Sequence, residues 1–165
     1  MLRAVDAPGG VVGPVAIGIG DLVVARHPAQ SFTTVLGSCI AIGLWDPVSQ
    51  VGGLNHFLLA HSQGEASRDL RYGDTAIPAL VGKVEAAGAD LRRIRAIVVG
   101  GANMIRAMLP IGTENAAFAR DWLAEQRIPV VSEDTGGVHA RRLSFTPGDG
   151  SFRISAVDDA PGPYS

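Results

Sequence analysis

"CIAIGLWDPVSQVGGLNHFLLA", residues 39–60, sets two apolar runs rich in branched and aromatic side chains on either side of a turn-forming centre. Runs of this kind, bounded by Asp, Pro and Gly, read as strands at 39–45 and 51–60, with "WDPVSQVGG" as the hairpin loop between them. The hairpin also brings chemistry together. Cys39, the chain's single cysteine, opens one arm, and His56 lies within the other.

Outward from the hairpin the pattern alternates between strands and helices. Residues 15–25 read as β-rich. The segment "DTAIPALVGKVEAAG", 74–88, predicts a helix with Asp74 as its cap, Ile77, Leu80, Val81 and Val84 on one apolar face and Gly88 at its close; Pro78 falls early enough to be tolerated. A strand over 94–99 runs into "GGANM". Thr113 is placed to cap a second helix over 114–127 with Phe118, Trp122 and Leu123 turned inward. Strands at 128–133, 140–146 and 151–157 close the chain, while 1–10 and 158–165 read as loosely held ends. The expected fold class is mixed α/β (α+β): layered, antiparallel-rich β-sheets packed with at least two helices. With 165 residues, the chain fits one domain, its core at about 15–157.

Composition narrows the function classes. Glycine, 21 residues of 165, is about twice as common as usual and clusters where apolar runs start or stop, which favours short strands and tight turns. A formal net charge of −2 with mixed signs leaves no electrostatic footprint for nucleic acid or an anionic membrane, so a macromolecular partner is expected to be a protein. The apolar stretch from Val11 to Ala25 is broken by Gly, Pro and Asp, well short of the ~20 clean residues of a membrane helix. One cysteine forms no internal disulfide, and the first twenty residues lack the pattern of a secretion signal; the expectation is a soluble protein of the reducing cytoplasm.

Cys39 and His56 admit two readings. A free thiol with a pKa of ~8.5 is only slightly ionised at neutral pH, and an imidazole across a hairpin is a plausible base to activate it. Gly37 and Ser38 would let substrate approach the backbone, whose N–H groups could hold an oxyanion. Equally, free cysteine is commonly a small buried hydrophobe, and a histidine flanked by Leu54, Phe57 and Leu58 is commonly a satisfied core residue. Composition and spacing alone favour these structural roles. His27, His61 and His139 stand in loops or turns, and no paired histidine spacing suggests a zinc site.

The ordered strings "LGSC", "DP", "GGLNHFLL", "RYGDTAIPAL", "GGANM", "IGTEN" and "IPVVSEDTGG", with the "RR" of Arg141 and Arg142, resemble the CheD family of chemoreceptor glutamine deamidases over roughly residues 15–157. The resemblance implies a protein-glutamine glutaminase, a cysteine hydrolase that converts glutamines of methyl-accepting chemotaxis receptors to glutamate with release of ammonia through a thioester. It places the nucleophile on Cys39, the general base on His56 and the third catalytic residue on Thr33; a shift of one residue would select Thr34, and since successive strand side chains face opposite ways only one of the two serves. It implies layered sheets and helices similar to other cysteine deamidases, including bacterial toxins that act on Rho proteins. No metal or organic cofactor is needed, the receptors are the expected partners, and docking to the phosphatase CheC is implied for some members.

Ser38 and Asn55 are expected to make turn or strand-end hydrogen bonds. "GGANM" and "EDTGG" are expected either as tight turns or as borders of a groove for a receptor helix, and Arg141 and Arg142 either as partners of acidic substrate residues or as a solvated strand edge. Two other functions remain open: a regulatory module that docks receptor tails or CheC with chemistry secondary, and a redox sensor using the single thiol.

Overall fold

The computed structural model describes residues 2–4, 13–26, 29–62, 68–105 and 109–157. Ten strands and two helices are described: β1 (Leu2–Ala4), β2 (Val15–Ala16), β3 (Leu22–Ala25), β4 (Phe32–Leu36), β5 (Ile40–Asp46), β6 (Val51–Asn55), α1 (Gly73–Ala86), β7 (Arg95–Gly100), α2 (Ile111–Glu125), β8 (Val130–Thr135), β9 (Arg141–Thr146) and β10 (Ser151–Ala156). They form a six-stranded sheet in the order β1-β3-β6-β5-β7-β8 and a four-stranded sheet in the order β10-β9-β4-β2.

The hairpin is the middle of the molecule. β5 and β6 pair antiparallel with Gly43 opposite Leu54 and Asp46 opposite Val51, and every residue of both strands is buried. A strand covered on both faces loses the polar alternation of a surface strand, which is why "IAIGLWD" is so continuously apolar. Its even-numbered residues Ile40, Ile42 and Leu44 join Ala76, Ile77, Leu80 and Val84 of α1 and Ala116, Ala119 and Leu123 of α2 in one core. Its odd-numbered residues Ala41 and Trp45, with Cys39 just ahead of the strand, join Phe32, Leu36, Leu143 and Phe145 of the smaller sheet in another. The architecture is therefore three layers: helices, six-stranded sheet, four-stranded sheet.

Asp46 closes the hairpin. Fully buried, it accepts from Val48 N–H (2.9 Å), Asp90 N–H (2.8 Å) and the Arg93 guanidinium (2.9 Å), tying the turn to the loop ahead of β7. The Arg93 contact holds its carboxyl far below the ordinary carboxylate range.

The layered α/β reading holds, with antiparallel pairs in the majority among the described strands: five against three parallel. Several local expectations are corrected. Residues 15–25 are two strands in different sheets, because the chain turns at Gly20, whose φ of +85° suits glycine. Residues 32–36, where the sequence sets no bounds for an element although Thr33 and Thr34 read as strand neighbours, form β4, and Leu2–Ala4 pairs parallel to β3 rather than hanging loose. β6 stops at Asn55, so His56 lies just past the strand.

Neither expected helix cap acts as one. α1 starts at Gly73, and Asp74, in its first turn, instead accepts from the backbone and hydroxyl of Ser62, both at 3.0 Å. α2 starts at Ile111 behind Pro110, and the Thr113 hydroxyl accepts from the Asn103 amide at 2.8 Å. The remaining expectations for the chain ends, and His27, lie outside the described residues. Among the described residues no helix is long and apolar enough to cross a membrane.

Candidate active site

Cys39 stands where the chain leaves the small sheet and enters the large one: β4 ends at Leu36, Gly37 and Ser38 turn, and β5 begins at Ile40. The β5–β6 register continues past the strand end, where Ile40 and Phe57 exchange both backbone hydrogen bonds at 3.1 and 2.9 Å. Ala41 is then opposite His56, and Cys39 is its diagonal neighbour on the same face, a relation that sets Cβ atoms about 7–8 Å apart or somewhat closer. That face looks toward the small sheet. The neighbouring Asn55 faces the other way, accepting from Ile42 N–H at 2.9 Å and donating to the Ala76 carbonyl of α1 at 3.4 Å, the strand-end role expected of it.

The small sheet supplies a threonine, and it is Thr34. In "FTTVL" the buried residues are Phe32, Thr34 and Leu36, while Thr33 and Val35 face outward. The period of two therefore turns Thr34 toward the large sheet, where its hydroxyl is 2.7 Å from His56 Nδ1. Thr33 lines the same cleft, and the residue hydrogen-bonded to the ring is Thr34, the one selected by the one-residue shift. The signal was present in the sequence: Thr34 lies two residues from Phe32 and from Leu36, on their face.

The Thr34 contact also settles the histidine's tautomer. Thr34 Oγ1 lies 2.9 Å from the Ile17 carbonyl oxygen, which can only accept, so the single hydroxyl proton is donated there. Oγ1 is left as an acceptor for Nδ1–H. The proton of the neutral ring is consequently on Nδ1, and Nε2 carries a lone pair. Nε2 is buried and takes no hydrogen bond among the described residues. Burial pushes the His56 pKa down to about 4, with the Asp21 carboxylate pulling weakly the other way, and burial pushes the Cys39 thiol up. At rest the thiol and the imidazole are both neutral, they line the same cleft, and no hydrogen bond joins the sulfur to Nε2.

Both side chains border one cleft of about 600 Å³, which Ile17, Thr34, Ser38, Met104 and Arg142 also line. An adjoining, more apolar cavity of about 400 Å³ shares Ser38 and Met104 and continues over Ile105, Leu109 and Ile111. Met104, Ile105 and Leu109 are exposed there.

The loops flagged in the sequence support the cysteine from behind. Gly100 (φ +119°), Gly101 (+67°), Gly136 (+86°) and Gly137 (+72°) occupy the left-handed region, as expected for tight turns. Gly101 N–H donates to the Cys39 carbonyl at 2.8 Å and Ala102 N–H to the Gly37 carbonyl at 2.9 Å. Arg141 is not a solvated edge: it is largely buried and donates to the carbonyls of Gly100 (2.6 Å), Asp134 (2.8 Å) and Gly136 (2.5 Å), clamping the two glycine loops together. Arg142, next along β9, lines the cleft. Asn115, which sequence reasoning passed over, is buried on α2 and donates to the Ser38 and Leu58 carbonyls, both at 2.9 Å. Its signals were its place at the end of the "IGTEN" string and its position, an amide among the small inward-facing residues of that helix.

Comparison with known proteins bears on this geometry. Residues 58–156 match the family profile described as CheD chemotactic sensory transduction. Proteins named "Probable chemoreceptor glutamine deamidase CheD" are similar over most of the chain. That of Caulobacter vibrioides (strain NA1000 / CB15N) is 45% identical over 147 residues, 86% of this chain and 78% of the relative. That of Clostridium novyi (strain NT) is 39% identical over 150 residues, 87% and 93% of the two chains. Among solved structures, the hypothetical protein YfiH of Bacillus licheniformis overlaps 69% of this chain and 49% of its own with a TM-score of 0.46 and 14% identity.

Proposed function

Because the chain belongs to the CheD family, we propose that it is a cysteine-dependent protein-glutamine glutaminase that deamidates chemoreceptors, with Cys39 as nucleophile, His56 as general base and acid, and Thr34 as the residue that orients the ring. The observation that carries this reading is the hydrogen-bond arrangement of His56: Nδ1–H committed to Thr34, and Nε2 buried without a partner among the described residues, on the face it shares with the chain's single cysteine.

The chemistry follows. The Cys39 thiol gives its proton to His56 Nε2 as the sulfur attacks the carboxamide carbon of a receptor glutamine; the π pair moves to oxygen, and the backbone N–H of Cys39 stabilises the charge that develops there. Collapse of the tetrahedral adduct breaks the C–N bond, and the proton on Nε2 leaves with the nitrogen as ammonia. A thioester remains. Water attacks it with His56 again taking a proton, the C–S bond breaks, the proton returns to sulfur, and the product is glutamate. Since neither thiol nor imidazole is charged at rest, the proton moves with the attack rather than before it.

A receptor is a cytoplasmic-facing substrate for such an enzyme, and the apolar strip of Met104, Ile105 and Leu109 beside the cleft suits the flank of a receptor helix. Incubating the protein with the cytoplasmic fragment of a methyl-accepting receptor should release ammonia and raise the mass of specific glutamine peptides by the amide-to-acid difference. Cys39→Ala should abolish both while leaving receptor binding intact. Turnover by Cys39→Ala at the parent rate would remove the nucleophile assignment.

A further inference from the structure

We propose that Asn115 is a positioning residue for the oxyanion site: by holding the Ser38 carbonyl against α2, it aims the Cys39 N–H into the cleft. The inference rests on the deamidase reading above and adds to it the device that orients the oxyanion donor.

The argument starts from the planarity of the peptide unit. In a trans peptide the N–H points opposite to the C=O of the preceding residue, and no cis bond is described in the chain. The orientation of the Ser38 carbonyl therefore fixes that of the Cys39 N–H. Asn115 is 1% exposed and lies on the helix side of the large sheet; its Nδ2 donates to Ser38 O at 2.9 Å, drawing that carbonyl toward α2. The Cys39 N–H is thereby turned to the opposite side, where the cleft bordered by Cys39 and His56 opens.

The neighbouring carbonyls are held by backbone donors, Gly37 O by Ala102 N–H and Cys39 O by Gly101 N–H. Only the peptide between Ser38 and Cys39 depends on a side chain. The second Nδ2 proton goes to Leu58 O at 2.9 Å, so both donors of the amide are committed and the side chain has one orientation. The arms bearing Cys39 and His56 are already joined by the paired bonds of Ile40 and Phe57. What Asn115 adds is the tilt of one peptide plane.

The test separates oxyanion chemistry from thiol activation. Iodoacetamide alkylation of Cys39 needs the thiol and its base but develops no oxyanion. Capture of a peptide carrying glutamate γ-semialdehyde forms a hemithioacetal, in which the sulfur bonds to carbon and the carbonyl electron pair moves to an oxygen that the Cys39 N–H must hold. Asn115→Ala should bind the aldehyde peptide roughly tenfold to a hundredfold more weakly and lose about 10²-fold in kcat with little change in KM, the lower end of the loss seen when an oxyanion donor is deleted. The alkylation rate and its pH profile should stay at parent values. Asn115→Asp, similar in shape but with the paired N–H donors gone, repeats the comparison if the alanine variant does not fold.

Parent-like aldehyde affinity in the variants, or alkylation falling in step with it, overturns the proposal, as does failure of the parent to capture the aldehyde. A parent that captures the aldehyde but deamidates no receptor would instead count against the substrate reading. The aldehyde and alkylation comparison would still decide the role of Asn115.

Discussion

At the scale of single residues, one hydroxyl proton decides the state of the site. Thr34 commits it to the Ile17 carbonyl and so must accept from His56, which leaves the ring's lone pair on Nε2, as the proposed base requires. Thr34→Val, which keeps the shape and removes the acceptor, should therefore lower kcat about tenfold to a hundredfold, reaching only the lower end of what general base catalysis contributes because the base itself is retained, while Thr34→Ser retains most activity. Thr33→Val should leave kcat near the parent value, and a larger loss at Thr33 than at Thr34 in ammonia-release assays would reverse the assignment. The depressed pKa of His56 sets the pH behaviour. With the ring neutral down to about 4, the acid limb of kcat/KM should fall close to that pH; a limb near the ordinary ~6.5 would mean a solvated ring. The same shift acts on stability. The unfolded histidine binds a proton below ~6.5 that the folded one refuses until about 4, so stability is complete above that window and declines as pH falls through it, by up to ~3 kcal/mol. Urea unfolding at pH 7 and pH 4.5 should show the decline, and His56→Gln should remove it.

At the scale of elements, Cys39 is held by loops more than by the strand it precedes. Gly100 ends β7 in the left-handed region, and a Cβ there would overlap the Cys39 carbonyl oxygen. Gly100→Ala should destabilise the fold by ~2 kcal/mol or more, from strained backbone plus the clash, and depress kcat further by displacing the residue that bears the thiol. Thermal melting together with ammonia release checks both. Arg141 explains why the two glycine loops act together: its guanidinium satisfies carbonyls from both. These roles were only half legible. Glycine clusters announce turns, but that "GGANM" packs against "EDTGG" and behind Cys39 is set by the parallel pairing of β7 with β8, a contact distant in sequence. The helices were legible as amphipathic segments and misread at their starts, because Asp74 and Thr113 found partners in neighbouring loops that outcompeted the local capping geometry.

At the scale of the molecule, the site is assembled from two sheets: Cys39 and His56 lie on the inner face of the larger one, and Thr34 comes from the smaller. The Thr34–His56 contact exists only while the sheets stay packed through Phe32, Leu54, Ile97 and Phe145. Phe145 is fully buried, and its ring lies where a Cβ on Gly43 would touch it. Phe145→Ala should cost ~3–5 kcal/mol and, in the fraction that remains folded, lower kcat more than it raises KM, because loosening the sheets separates Thr34 from the ring. Denaturant unfolding and steady-state kinetics on the same preparation test the coupling. Alternation and turn chemistry are local properties, so the sequence by itself determined the central hairpin, the two helices, the layered α/β class and the placing of Cys39 and His56 on opposite arms of that hairpin. Which threonine meets the ring, which histidine nitrogen bears the proton, that Arg141 faces inward and that Asn115 reaches the Ser38 carbonyl were decided only by tertiary structure. Each depends on how layers far apart in the chain come to rest on one another, and no local pattern encodes that registration.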